Sequence, residues 1–157
     1  MRRGWTPDRT SGRPGRGGSG VARPPGLTAV VGDPAGPGRP RRGIVVLTCM
    51  DARIAPLRLL GLSAGDAQVL RNAGGLVTED VLRSLRLSCR QGGVREAIVL
   101  RHRRCLALPD EDDLVPGIAR TVARLSSARG MALRVRGCVL DHDTGLVSEV
   151  ITRGSQR

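Results

Sequence analysis

VVLTCMDAR, the stretch from Val45 to Arg53, gives the clearest indication of the fold. It continues the run GIVVLTCM, which is almost entirely apolar and rich in β-branched residues, as is typical of a strand covered on both faces. The strand then ends in Cys49, Asp51 and Arg53, one at every second position. Such an ending fits a buried thiol beside a surface ion pair. It also fits two metal ligands followed by a residue that controls one of them.

Strands and helices alternate along the chain after this first strand. The clearest helix is TEDVLRSLRLSCRQGG, where Thr78 can cap the first turn and Gly92-Gly93 can end the helix. A later helix is expected to begin near Pro116, because proline suits the first turn. The alternation predicts an α/β fold, with a mainly parallel β-sheet flanked by helices and a C-terminal β-hairpin. The predicted elements are strands at 43–50, 67–75 and 95–102, a short helix at 56–60, helices within 78–93 and 110–130, and a hairpin at 133–151 with its turn in DHDTG.

The composition divides the chain into an arm and a domain. Residues 1–42 contain ten of the 22 glycines and seven of the 10 prolines, and they show no periodic pattern that could bury a face. We therefore expect a disordered Arg/Gly/Pro-rich arm at 1–42, in which only Thr28–Val31 could dock locally, and one folded domain at 43–157. The arm holds nine arginines and two aspartates, so it carries +7 of the net charge of +12. Any nucleic-acid binding would therefore depend on the arm.

Several classes of protein are disfavoured by the composition. No window reaches the roughly 20 apolar residues that a membrane span needs, so we expect no membrane protein. No apolar run follows Arg2 and Arg3, so we expect no signal peptide and a cytoplasmic location with reduced thiols. The four cysteines form no Cys-x-x-Cys pair, which disfavours a redox function, and Cys89 and Cys138 are expected to be core thiols. Without Phe or Tyr the core lacks large anchors, and oligomerisation would bury more apolar surface.

Chemically reactive side chains follow three of the predicted strands. The first strand ends in Cys49 and Asp51, the second in RNAGG, and the third in His102 with Cys105 close behind. Ligands of open α/β sheets gather at the carboxyl ends of the strands, so these residues converge if the first and third strands are neighbours. Two thiolates and an imidazole, with a carboxylate or water as fourth ligand, suit zinc better than Mg²⁺ or Ca²⁺. His142, in DHDTG, is expected to be a turn residue.

CMDAR, GDAQVLRNAGG, TEDVLRSLRLS and HRRC together resemble the β-class carbonic anhydrases. That family carries Cys-x-Asp-x-Arg, followed further along the chain by His-x-x-Cys, and Cys49 and His102 match its spacing. The resemblance extends from Gly43 to Cys105, and more loosely to the terminal hairpin. It implies the fold already predicted, Zn²⁺ as cofactor, and CO₂ and bicarbonate as substrates. It also implies a homodimer or a dimer-based oligomer.

The resemblance also implies a role for each residue of the site. Cys49, His102 and Cys105 would be the permanent zinc ligands, and hydroxide on the zinc would attack CO₂. Asp51 would be a conditional ligand that binds zinc only in a closed, inactive form. Arg53 would pair with Asp51 and hold it off the metal, which leaves the carboxylate free to orient the hydroxide.

The residues after the second strand have two interpretations each. Gly74 and Gly75 bind substrate if the absence of Cβ lets the backbone approach the pocket closely. Alternatively, they form a simple turn between the strand and the following helix. Arg71 and Asn72 either bind across a subunit interface or cap a loop.

The surroundings of the last ligand depart from the pattern of the family. Leu106 stands where the family has a small residue, and Arg103 and Arg104 precede Cys105. The segment from Leu106 to Leu114 is also short. These departures keep open a catalytically impaired zinc-binding member with a structural or bicarbonate-sensing role. Nucleic-acid binding through the arm is a further alternative, although the codon usage of a GC-rich gene explains its arginines.

Overall fold

The structure, a computed structural model, describes residues 38–109 and 113–154. Its elements are the strands β1 (Ile44–Cys49), β2 (Ala67–Asn72), β3 (Glu96–His102), β4 (Arg134–Leu140) and β5 (Val147–Arg153), and the helices α1 (Pro56–Leu59), α2 (Glu79–Arg90) and α3 (Leu114–Ser126). The strands form a five-stranded sheet in the order β2-β1-β3-β4-β5. The first four strands pair in parallel, and β5 pairs antiparallel with β4. The predicted α/β fold with a mainly parallel sheet and a C-terminal hairpin is confirmed.

β1 and β3 lie in the interior of the sheet because their side chains are apolar on both faces. Every residue of β1 is buried, as is every residue of β3 after Glu96. Alternate side chains of a strand point to opposite faces. Val45 and Leu47 accordingly share a core with α2 and α3, while Val46 belongs to a second core on the opposite face. This two-sided burial is what the continuous apolar run predicted.

The two longer helices begin at capped residues. The Thr78 hydroxyl accepts a hydrogen bond from a backbone amide in the first turn of α2, as expected from the sequence. α3 begins at Leu114, two residues earlier than predicted, because the Asp113 carboxylate accepts a hydrogen bond from the Val115 amide. Pro116 is tolerated inside this first turn, since amides there have no acceptor within the helix.

β2 ends at Asn72, three residues before the end of the predicted strand. Ala73–Gly75 form a single 3-10 turn, in which Gly74 and Gly75 have φ values of 75° and 61°. Glycine adopts these left-handed values readily, and they take the chain out of the sheet. A Cβ on Gly75 would stand 2.9 Å from the backbone carbonyl carbon of Thr48. The turn therefore packs directly against the end of β1.

The predicted arm falls only partly within the described residues. Residues 1–37, including Thr28–Val31, lie outside them, so the disordered arm stays a prediction. Within 38–42, the Arg41 guanidinium donates to the Ala64 carbonyl (2.9 Å) and to the Asp66 carboxylate (2.7 Å). In the described ranges, none of the helices combines the length and the apolar character that a membrane crossing requires.

Candidate metal centre

Cys49, His102 and Cys105 come together at the carboxyl ends of β1 and β3. These strands are parallel neighbours, with Thr48 opposite Leu100, so the residues that follow them share one edge of the sheet. The three side chains are buried, and their ligand atoms all lie within 4.8 Å of one another. Both cysteines are free thiols, with their sulfurs 3.8 Å apart. The three residues form a cluster that could hold a metal ion.

The geometry of this cluster fits a tetrahedral zinc ion. Two sulfurs at about 2.3 Å from a tetrahedral Zn²⁺ stand about 3.8 Å apart, which is the separation of the Cys49 and Cys105 sulfurs. Nε2 of His102 is buried, and no group of the described ranges forms a hydrogen bond with it. A buried polar atom without a partner is destabilising, so a cation that accepts the Nε2 lone pair would satisfy it.

Burial influences the protonation of the candidate ligands. It lowers the pKa of His102, and the nearby His142 adds to this effect. The neutral imidazole that results is the form that binds metal. Burial also raises the pKa of the Cys105 thiol, and the adjacent Cys49 thiol adds to that shift. A divalent cation between the two sulfurs would reverse this preference and favour the thiolates.

The Asp51 carboxylate is held by Arg53 and is not part of the three-residue cluster. Asp51 Oδ1 accepts hydrogen bonds from Arg53 Nε (3.0 Å) and from the Arg53 amide (2.9 Å), and Oδ2 accepts from Nη2 (2.7 Å). The Arg53 guanidinium holds the pKa of Asp51 well below its usual range, so the carboxylate is ionised at neutral pH. Asp51 Oδ2 lies 4.0 Å from Nδ1 of His102. The pair has the arrangement expected for Arg53, and its action as a switch stays a prediction.

A cavity of about 810 Å³ adjoins the cluster. Asp51 and Arg53 form a polar part of its wall, and much of the remainder is apolar, including Met50, Ala73 and Leu106. Leu106 is 93% exposed, although it is a large apolar side chain. The cavity therefore offers a small molecule a largely apolar wall beside the candidate metal site, with an ionised carboxylate in the same wall.

The end of β2 supports the loop that follows Cys49. Arg71 donates from Nε to the Cys49 carbonyl (3.0 Å) and from Nη2 to the Asp51 carbonyl (2.7 Å), so it caps this loop within its own chain. The Gly74 amide donates to Cys49 Sγ (3.3 Å). An amide that donates to a ligand sulfur stabilises the thiolate. Gly74 thus contacts a candidate ligand, and the assignment of Gly74 and Gly75 to substrate binding stays a prediction.

The sequence left the contact of Arg71 open between two alternatives, and it did not predict the contact of His142 with the site. The position of Arg71 opposite Thr48 becomes visible only when β1 and β2 are paired in register. His142 does lie in the turn between β4 and β5, as expected, but its Nε2 is also 2.9 Å from Nδ1 of His102. No periodicity or motif spacing joins the hairpin to this ligand, so the sequence carried no signal for the second contact.

The chain has relatives of recorded function. Residues 44–130 match the family model described as carbonic anhydrase. β-Carbonic anhydrase 1 of Mycobacterium tuberculosis (strain ATCC 25618 / H37Rv) is 49% identical over 74 residues, which are 47% of this chain and 45% of that protein. A carbon disulfide hydrolase of Acidithiobacillus thiooxidans is 34% identical over 100 residues, which are 60% of this chain and 43% of that protein. The chain spans a little under half the length of these curated relatives.

The fold is similar to solved structures over most of its length. The carbonic anhydrase of Streptococcus mutans has a TM-score of 0.67 at 33% identity, over 76% of this chain and 88% of that one. The β-carbonic anhydrase isoform I of Trichomonas vaginalis has a TM-score of 0.65 at 21% identity, over 84% of this chain and 90% of that one, and shows the fold alone. Since the family model covers more than half of the chain and most of the S. mutans structure is matched, this chain belongs to the β-carbonic anhydrase family.

Proposed function

We propose that this chain is a zinc-dependent carbonic anhydrase, which catalyses the reversible hydration of CO₂ to bicarbonate and a proton. The observation that carries the proposal is the buried cluster of Cys49, His102 and Cys105, whose ligand atoms lie within 4.8 Å of one another. The ionised carboxylate of Asp51 lines the apolar cavity beside this cluster. Membership of the family supports the same reaction.

Cys49, His102 and Cys105 would hold the zinc ion. The nitrogen ligand of His102 would be Nε2, because Nδ1 already has partners while Nε2 has none in the described part of the chain. When bound, Zn²⁺ acts as a Lewis acid that acidifies water and so supplies the nucleophile near neutral pH. The Gly74 amide would keep the Cys49 thiolate in position through its hydrogen bond to the sulfur.

Asp51 and Arg53 would orient the attacking water. Asp51 stays ionised because Arg53 donates to both of its carboxylate oxygens. An ionised carboxylate is an acceptor only, so it can take a hydrogen bond from the water and direct the oxygen lone pair towards CO₂. Arg53 would also keep the carboxylate away from the cluster, which leaves a coordination position free for the reaction.

The apolar wall of the cavity would bind CO₂. Met50, Ala73 and Leu106 contribute this wall, and an uncharged substrate does not need charged partners there. Leu106 replaces the small residue of the family, yet a cavity of about 810 Å³ remains beside it. The proposed reaction therefore does not require Leu106 to move.

Zinc analysis combined with stopped-flow CO₂ hydration tests the proposal. We expect one zinc ion per chain, and hydration faster than in buffer between about pH 7 and about pH 9. Cys105→Ser should lose both zinc and activity, because it removes a ligand. Cys89→Ser is the matched control outside the cluster and should keep both. A zinc-loaded wild-type chain that hydrates CO₂ no faster than buffer would contradict the proposal and leave the catalytically impaired, zinc-binding alternative.

Carbon disulfide is the substrate to compare directly with CO₂. Carbon disulfide hydrolases are among the relatives of this chain, and CS₂ is likewise a small uncharged molecule that an apolar cavity can take. Release of hydrogen sulfide from CS₂ can be measured with the same zinc-loaded preparation. Turnover of CS₂ without turnover of CO₂ would replace the proposed reaction by hydrolysis of carbon disulfide.

We further propose that the active form is a cytoplasmic homodimer or dimer-based oligomer, without nucleic acid as a partner. β-Carbonic anhydrases of Sordaria macrospora are described as tetrameric. Met50 and Leu106, which line the cavity, are 65% and 93% exposed in the single chain. A second subunit would cover these apolar side chains. In the same proposal, residues 43–157 form the zinc domain.

A further inference from the structure

His142 connects the C-terminal hairpin to the candidate metal centre. It lies in the turn between β4 and β5, beyond residues 44–130 that the family model matches. Its Nε2 is 2.9 Å from Nδ1 of His102, and the ring centroids are 5.0 Å apart with the planes at 75°. The contact therefore joins a half-buried turn residue to a fully buried candidate ligand.

The turn that carries His142 is held in place by contacts of its own. The Asp141 carboxylate accepts hydrogen bonds from two backbone amides of the turn, at 2.8 and 3.3 Å. Asp143 forms an ion pair with Arg104, in the loop after β3. The strands that lead into these two loops, β3 and β4, are paired as far as His102. The position of His142 beside His102 therefore does not depend on the contact between the two rings.

We propose that His142 is a positioning residue for the metal ligand His102, an inference that rests on the proposed zinc site. With Nε2 of His102 bound to the cation, Nδ1 carries the hydrogen and donates it to Nε2 of His142. The Arg103 carbonyl is the competing acceptor at 3.1 Å, against 2.9 Å for His142. A partner of this kind fixes the tautomer and the orientation of the ligand ring, and its loss weakens metal binding by about 10- to 100-fold.

A second metal ion held by Asp51, His102 and His142 is the competing explanation. The ligand atoms of these three residues also lie within 4.8 Å of one another. However, both carboxylate oxygens of Asp51 already accept hydrogen bonds from Arg53. In addition, Nδ1 of His102 cannot bind a second cation while it carries the hydrogen of a neutral ligand imidazole. A hydrogen bond between the two histidines explains their close approach without a second ion.

Metal affinities of matched hairpin variants test the inference. His142→Leu removes the acceptor and His142→Gln keeps one, while Leu146→Ala alters a residue of the same hairpin loop whose side chain is 65% exposed. The dissociation constant for Zn²⁺, measured by competition with a chromophoric chelator, should rise by about 10-fold or more in His142→Leu. It should stay close to the wild-type value in the other two variants. The absorption bands of the cobalt-substituted protein should shift in His142→Leu alone.

The same measurements can overturn the inference separately from the proposed function. Equal zinc affinity in His142→Leu and the wild type would contradict it, while CO₂ hydration by the wild type would still stand. If His142→Gln also bound zinc more weakly than the wild type, His142 would not act as a hydrogen-bond acceptor. This comparison holds even if His142→Leu unfolds more readily without metal. Two zinc ions per wild-type chain, with one lost in His142→Leu, would make His142 a ligand instead. A wild-type chain that binds no zinc would overturn the proposed function as well.

Discussion

At the scale of single residues, the geometry of CMDAR is compatible with both interpretations of its sequence. One was a buried thiol beside an ion pair, and the other was two metal ligands followed by a residue that controls one of them. Asp51 and Arg53 do form an ion pair, with a distance of 2.7 Å between Nη2 and Oδ2. The pair lies beside the cluster of Cys49, His102 and Cys105, with Asp51 Oδ2 only 4.0 Å from the His102 ring. An exposed ion pair on a protein surface contributes little to the stability of the fold. Here it also sets where a carboxylate stands relative to the candidate metal ligands.

Arg53→Ala should keep zinc but lose CO₂ hydration. Without the guanidinium, the Asp51 carboxylate is free to move onto the metal and occupy the position that the reaction needs. Zinc content by elemental analysis and stopped-flow hydration measure the two effects. Arg83→Ala is the control, because it breaks a comparable Arg–Asp pair with Asp80 on the exposed surface of α2. An Arg53→Ala variant that retained full activity would contradict the switch role.

Because the pKa of Asp51 is low in the folded state, the stability of the metal-free chain should change with pH in the acid range. The pKa is lower in the folded state than the value of about 3.9 expected when unfolded, so the ionised form stabilises the folded state above about pH 4. This stabilisation is lost as the pH falls towards the folded pKa. Urea unfolding of the wild type should therefore show a steeper loss of stability below about pH 5 than Arg53→Ala shows. If the stability of the wild type and that of Arg53→Ala fell equally with pH, the Arg53–Asp51 pair would not be the cause of the acid sensitivity.

At the scale of elements, the absence of a side chain at Gly137 lets α3 pack on β4. A Cβ at this position would stand 2.2 Å from Cγ2 of Ile118 and 2.7 Å from Cγ2 of Ile151. Ile118 is fully buried in α3, and β4 and β5 shift register between Gly137 and Cys138. The helix and the hairpin therefore approach each other over this one glycine.

Gly137→Ala should lower the free energy of unfolding by about 1–3 kcal/mol, because overpacking forces the neighbouring side chains or the backbone to shift. Urea denaturation of the metal-free protein measures the change. Gly154→Ala is the control, since a Cβ there would meet no atom within 4 Å. Equal stability of Gly137→Ala and the wild type would contradict the prediction and show that α3 can move away from β4 without a cost in free energy.

The element boundaries that the sequence did not predict have local causes. The left-handed φ values of Gly74 and Gly75 end β2 early, although the predicted strand continued to Gly75. Asp113 caps α3 ahead of Pro116. Both boundaries depend on the backbone conformation or the capping of one or two residues, which the hydrophobic pattern specifies only weakly.

At the scale of the whole molecule, the candidate site is formed by one edge of the sheet. β1 supplies Cys49, β3 leads to His102 and Cys105, the turn after β2 supplies the Gly74 amide, and the hairpin supplies His142. Apolar side chains around this edge remain uncovered in the single chain, including Met50 and Leu106. We expect a second copy of the chain to cover them.

Light scattering should give at least twice the chain mass at micromolar concentration. Leu106→Arg should shift the protein towards the monomer, because it places two additional positive charges, one from each subunit, at the expected interface. Leu87→Arg is the control, since Leu87 is 52% exposed on α2 and does not line the cavity. A monomeric wild-type chain, or equal dissociation in both variants, would contradict this placement of the interface.

The sequence by itself determined the class of fold and the placement of Cys49, His102 and Cys105 at the carboxyl ends of strands. Continuous apolar runs specify buried strands, helical spacing specifies the crossovers, and parallel strands bring their carboxyl ends to one side. Only the tertiary structure decided the contacts of Arg71, Gly74 and His142 with the site. These hydrogen bonds join residues between 20 and 40 positions apart. They depend on strand register and side-chain direction, which arise only when the whole sheet is assembled.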